Sequence, residues 1–214
     1  MPETTHNEIT VINLSANEIG TFDQDLSCFT NLEELNLSYN WATELVQLWD
    51  LPNLKTLKLH KNALTTTSTI SSAGSFPMLE DLNIWYNELT DLIGIENLSS
   101  LVSLEAYHNK LESLVWVERL EQLEELKVEF NKLKSWDIEQ ILQMSAVQYI
   151  TAKWNSVTES LLEEIKNSNN AYIEQVKEQI DLERLIEQWA QIFEINADWE
   201  IVDQDGNKVD LDTE

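Results

Sequence analysis

Residues 32–40 read Leu32-Glu33-Glu34-Leu35-Asn36-Leu37-Ser38-Tyr39-Asn40. Apolar side chains stand at the first, fourth and sixth places of this stretch, and an asparagine closes it at the ninth. The alternation through Leu35, Asn36 and Leu37 is that of a short strand with one face turned inward. The same frame recurs along the chain as Ile9/Ile12/Leu14/Asn17, Leu54/Leu57/Leu59/Asn62 and Leu79/Leu82/Ile84/Asn87. It continues as Leu101/Leu104/Ala106/Asn109, Leu123/Leu126/Val128/Asn131 and Val147/Ile150/Ala152/Asn155. The closing asparagines are separated by 23, 22, 25, 22, 22 and 24 residues. Such a repeat predicts a solenoid in which each copy supplies one coil.

The frame has a physical rationale. Short strands can stack at about 4.8 Å into one continuous parallel sheet. An asparagine turned inward at each bend can donate to and accept from the backbone of neighbouring coils, which satisfies polar groups that the bend would bury unpaired. The second halves of the repeats carry apolar residues every third place, as in Leu89/Leu92/Ile95/Leu98 and Leu111/Leu114/Val117/Leu120. That spacing predicts 3₁₀ or irregular helical returns. The third repeat is longer, and its Ser/Thr-rich stretch 65–75 offers few apolar anchors, so it is expected to bulge outward as a loop.

With these residues the chain resembles the leucine-rich-repeat family, and its repeat length resembles the 22-residue cytoplasmic class typified by a regulatory subunit of protein phosphatase 1. The resemblance covers residues 9 to 157. It implies an α/β solenoid: an arc of about seven repeats with a concave parallel β-sheet, and a protein-binding role. Ala42, Ala106 and Ala152 depart from it by replacing larger core residues. The Cys-rich flanking caps usual in extracellular members are missing, which points to an intracellular protein.

Beyond the repeats the period breaks. The expected organisation is a solenoid over 1–157, a helical C-terminal cap over 158–194 and an acidic hairpin or tail over 195–214. Ser160-x-x-Glu163 reads as a capping box. Ile173, Val176, Ile180, Leu185, Trp189 and Ile192 recur at helical spacing and predict an amphipathic helix over 171–194. Its plain role is to cover the last open coil; a partner-binding helix is the alternative. Asp205-Gly206 between two alternating runs is a hairpin signal. The surrounding acids do not fit an EF-hand, because Gly206 is fourth from Asp203 rather than sixth.

Composition narrows the function. The chain has 214 residues, with 13 Lys+Arg against 39 Asp+Glu, a formal charge of −26. That charge repels nucleic-acid backbones and anionic membranes, so neither is an expected partner. Cys28 is the sole cysteine, which excludes an internal disulfide framework or a Cys-rich zinc site; it is read as a small buried hydrophobe. His60 and His108 fall two repeats apart and one place out of register, too far apart for one metal or a proton relay. No metal, no cofactor and no enzymatic activity are expected. The N-terminus lacks the basic and apolar segments of a secretory signal, and no apolar run is long enough to span a membrane, so a cytoplasmic location is expected.

The alternation assigns places three, five, seven and eight of each frame to the concave face. Seven of these 28 positions are aromatic, 25% against 8% for the whole chain. Trp85, Tyr86, Tyr107 and Phe130 are the expected anchors of a protein-binding ridge. Tyr39 and Trp154 extend it, and Lys58, His60, Lys61 and His108 supply polar contacts. The alternative is packing between neighbouring strands. The concave positions carry a net charge of only −1, so the acid lies mainly on the convex side, the edges and the tail, and any steered partner should be basic. The leading function is therefore a non-enzymatic protein-binding scaffold. The alternatives are an acidic inhibitor or immunity protein that neutralises a basic toxin or nuclease, and a structural assembly subunit. The oligomeric state stays open.

Overall fold

Three residues per coil are enough to build the sheet, because each strand borrows its partners from the coils on either side. In the computed structural model the described residues are 8–22, 26–45, 51–68, 70, 76–141, 144–152, 154 and 155. The expected C-terminal cap and the acidic hairpin or tail lie outside them.

The concave sheet contains β1 (Val11–Asn13), β3 (Glu34–Asn36), β5 (Thr56–Lys58), β6 (Asp81–Asn83), β7 (Ser103–Glu105), β8 (Glu125–Lys127) and β9 (Tyr149–Thr151), all parallel and in that spatial order. The register is strict: Leu35 faces Leu57, Leu57 faces Leu82, and Leu82 faces Leu104. Identical places in successive repeats therefore become neighbours in space. The middle residue of each strand points into the core, and Leu35, Leu57, Leu104 and Leu126 are fully buried. Two further short strands, β2 (Thr21–Phe22) and β4 (Glu44–Leu45), pair in parallel on the return side of the first two coils. The repeat frame did not predict them.

The asparagines form the second internal column. Asn109 Oδ1 accepts the Leu89 N–H at 3.1 Å, while its Nδ2 donates to the carbonyls of Ile84 and Ala106 at 3.0 and 3.1 Å. Asn40, Asn87, Asn131 and Asn155 repeat this pattern one coil at a time. Each of these amides thus ties its own coil to the preceding one through backbone groups of both.

The returns follow the three-residue period where it is cleanest. Ile95–Asn97 and Val117–Arg119 are 3₁₀ turns, with Ile95 and Val117 buried. Ser135–Ile141 instead forms an α-helix, α1. The buried Asp137 accepts the Leu114 and Lys134 N–H groups, and so joins that return to its neighbour. Of the Ser/Thr-rich stretch, residues 69 and 71–75 lie outside the described residues; Thr65 and Ser68 are exposed, while Thr67 and Ile70 are fully buried and the Thr67 hydroxyl donates to the Ile93 carbonyl, an anchor that apolar patterning could not reveal. One expectation changes. Cys28 is exposed rather than buried, since Leu26 and Leu32 on either side supply the core contacts of that return. Among the described residues no helix is long and apolar enough to cross a membrane.

Candidate protein-binding face

The chain leaves each strand through a left-handed bend. Ala16, Tyr39, Lys61, Tyr86, His108, Phe130 and Trp154, the eighth places of the seven frames, all have φ between 52° and 58°. Left-handed backbone costs an L-residue about 1–2 kcal/mol. Here the bend aims the N–H at the next coil: Tyr39 donates to the His60 carbonyl, Lys61 to Trp85, Tyr86 to Tyr107 and His108 to Glu129. These bonds extend the strict register to places seven and eight.

That register converts two columns of the sequence into two stacks of rings. At place seven His60 lies flat on Trp85 (centroids 4.6 Å apart, planes 7° apart), and Trp85 lies flat on Tyr107 (5.1 Å, 7°). At place eight Tyr86 is followed by His108 (5.7 Å), His108 stacks on Phe130 (4.1 Å, 6°) and Phe130 on Trp154 (5.7 Å, 15°). Edge contacts join the two columns at Trp85–Tyr86 and Tyr107–His108, and Tyr39 meets His60 edge-on. Such ring pairs contribute about 0.5–1.5 kcal/mol each beyond the area they bury.

The contacts leave part of the ladder in solvent. Tyr39, Tyr86 and Trp154 remain 50%, 56% and 44% exposed, and Phe130 37%. The rings thus pack against one another across neighbouring coils and still keep part of their surface in solvent. The ladder also absorbs residues expected as polar contacts. His60 and His108 act as rings within it, and Lys61 Nζ lies 4.8, 5.2 and 5.6 Å from the centroids of Tyr39, Trp85 and Tyr86. The signal for this was present in the sequence, since each histidine shares its column with the aromatics.

The sheet floor beside the ladder is charged and largely paired. Lys58 bonds Glu34 at 2.6 Å; Lys127 bonds Glu105 at 2.8 Å and Glu125 at 3.1 Å. Burial alone would lower the Lys127 pKa, but its hydrogen bonds to Glu105 and Glu125 outweigh burial and raise it. Asp81 and Glu129 form no ion pair among the described residues. Burial, reinforced by the Glu80, Glu125 and Glu105 carboxylates, raises the Asp81 pKa. Burial against Trp85, with the nearby Lys58 and Lys61, lowers the His60 pKa despite the opposing charge of Glu105. Tyr107 is shifted upward by burial and by the carboxylates of Glu105 and Glu129, so its phenol stays protonated. Two open grooves flank the rings. One of about 330 Å³ runs past Tyr86, His108 and Phe130; the other, about 260 Å³, lies over Lys58, Asp81 and Glu105. Among the described residues no group of three or more His, Cys, Asp or Glu side chains could hold a metal ion.

This architecture has clear counterparts among solved structures. An internalin, InlF of Listeria monocytogenes, superposes with a TM-score of 0.63 at 22% identity over 72% of this chain. A leucine-rich-repeat protein of Leptospira interrogans gives 0.62 at 20% over 78%. The fold is that of the leucine-rich-repeat proteins. TLR13, in a complex with ssRNA13, matches at 0.63 and 25% identity over 71% of this chain and 22% of its own. The chain spans 44% and 49% of the lengths of the first two. No protein-family model matches the sequence, and no curated protein does. The leucine-rich-repeat fold accounts for the core and the asparagine column, while the aromatic ladder is read from this chain's own residues.

Proposed function

We propose that the chain is a non-enzymatic binding scaffold that holds a protein partner on its concave face. The observation that carries this reading is the aromatic ladder, a continuous run of eight rings from Tyr39 to Trp154 that retains exposed edges. Large rigid rings contribute contact area at little entropic cost, and such residues dominate interface energies. Trp85, Tyr86, Tyr107 and Phe130 form the centre, Tyr39 and Trp154 the ends, and Lys61 a cation already seated among the rings. Lys58 acts mainly through its pair with Glu34. The repeat length supports a likeness to the 22-residue cytoplasmic class of regulatory-subunit type, and a lone exposed thiol fits a reducing compartment.

The test is an affinity capture from native extract with wild type beside a Trp85→Ala/Tyr107→Ala double variant, at low and high salt. A protein retained by wild type and lost by the variant supports the ladder as the site. If both baits retain the same partner, the ladder is packing only. The charge of −26 favours a second reading, an inhibitor of a basic protein such as a nuclease. In that case release by salt alone dominates and the ring substitutions matter little. RNA is disfavoured as a partner by the same charge.

A further inference from the structure

The spacing of the ladder selects the shape of what can lie along it. Rings from successive coils are separated by 4.1 to 5.7 Å between centroids, and five coil-to-coil steps separate Tyr39 from Trp154. At about 4.8 Å per strand the ladder is about 24 Å long. An extended segment presents a side chain to one face every second residue, a step of about 6.7 Å. Five such steps cover about 33 Å, and the segment falls out of register after two rings. A helix presents side chains at i+3 and i+4, steps of about 4.5 and 6.0 Å. Five of those cover about 26 Å and keep pace with the rings throughout.

Charge gives a second constraint. The floor beside the rings holds Asp81 and Glu129 without ion pairs among the described residues, on a chain of charge −26. A helix seated on the ladder would therefore lay its flanks beside carboxylates that pair with no described lysine. The chain's own segment 171–194 has a helical pattern, but with six acids and two basic residues it carries the wrong sign.

We infer that the concave face is built for a basic amphipathic helix of about four to five turns, supplied by the partner protein, with its apolar stripe on the ladder and Lys or Arg on its flanks. This rests on the concave reading above and names the partner chemistry for it.

The test uses the full chain and three synthetic peptides. The first is an 18-mer (about five turns) with Leu at helical spacing and Arg and Lys on the flanks. The second has the same composition with Leu at every second position. The third copies residues 171–194. Affinities are measured by calorimetry, and peptide helicity by circular dichroism, against wild type, Trp85→Ala and Phe130→Ala. The inference expects the first peptide to bind at least about tenfold more tightly than the second, to gain helicity on binding, and to lose about tenfold or more in either variant. Equal or tighter binding of the second peptide, lost in the variants, overturns the helix and leaves the concave site standing. Tightest binding of the third makes the chain's own segment the occupant and overturns the partner helix. Failure of all three to bind also overturns it, with the capture experiment still deciding the site. Binding of the first peptide that neither variant weakens overturns both readings.

Discussion

Two columns of side chains run along this solenoid under different rules. The asparagine column, at place nine, is filled in all seven coils; from Asn40 onward its amides serve carbonyls and N–H groups that would otherwise be buried unpaired, while Asn17 in the first coil is exposed. Places seven and eight carry rings at eight of their fourteen positions, beginning at Tyr39, with Lys61, Glu129 and Lys153 interrupting the columns. The first coil has Ser15 and Ala16 there. Yet Ala16 takes φ 58° and donates to the Ser38 carbonyl, just as Tyr86 at 56° donates to Tyr107. The backbone therefore dictates the asparagines and is indifferent to the rings. What the fold does not require is free to serve a surface.

The largest effect should come from breaking the first column. Asn109 is 8% exposed and connects three backbone groups of two coils. Asn109→Ala strands the Leu89 N–H, worth about 1–3 kcal/mol when buried unpaired, and removes one of the two amide donors from the Ile84 and Ala106 carbonyls, which keep Asn87 and Asn131, so unfolding in urea should show a loss of about 2 kcal/mol or more. A loss below about 1 kcal/mol would mean that water replaces the amide and that the column is not what closes the coils.

Breaking the second column should act on binding first. Trp85→Ala removes a ring stacked on both sides and should weaken partner affinity by at least about 2 kcal/mol, with a stability loss of about 1–3 kcal/mol from its two stacks. Global unfolding of this variant would make the ladder part of the core and erase the contrast between the columns.

The contrast also explains what could be read from the sequence. The repeat, the strands, the inward asparagines and the Ile95 and Val117 returns follow from period alone, since apolar spacing reports directly on burial. The outward columns were legible as positions, and Trp85, Tyr107 and Phe130 stood out in them. Their contacts were not legible, because parallel in-register stacking makes a neighbour of a residue 22 to 25 places away. His60, His108 and Lys61 share their columns with the aromatics, so the signal for their place among the rings was present, but their residue types pointed first to polar contacts. Thr67 and Asp137 escaped because both are polar residues buried by hydrogen bonds to distant backbone, which apolar patterning does not see. Cys28 was misplaced because its residue type is usually buried, while this return already has Leu26 and Leu32 inside.

A smaller effect tests whether the bend is indifferent to its side chain. Glycine adopts the left-handed region without the steric cost that other residues carry. Ala16→Gly loses no ring, so it should raise stability by up to about 1 kcal/mol in a urea titration. Phe130→Gly relieves the same strain but gives up contacts with His108 and Trp154, so it should be close to neutral or mildly destabilising, within about 1 kcal/mol. If both glycines destabilise equally, the rings contribute nothing to the folded ladder.

The smallest effect is on pH dependence, where the ladder and the floor have opposite signs. His60 holds its proton less tightly in the fold than at the ordinary 6.5. The unfolded chain therefore takes up that proton first. The stability that neutral His60 supports is complete above 6.5 and is lost as pH falls through that value toward the folded pKa. Asp81 is raised above 3.8, so its carboxylate opposes folding at neutral pH, and that opposition fades as pH falls through the folded pKa. His60→Phe keeps a ring against Trp85 and removes the titration. It should flatten the fall in Tm between about pH 7 and 5.5 while leaving the lower limb unchanged. Asp81→Asn should raise Tm at pH 7 and lose that advantage near pH 3.5, about where the free carboxyl is itself protonated. A His60→Phe profile parallel to wild type through the upper limb would mean that the imidazole is solvated as freely in the ladder as in the unfolded chain, and that its stack on Trp85 is open to water.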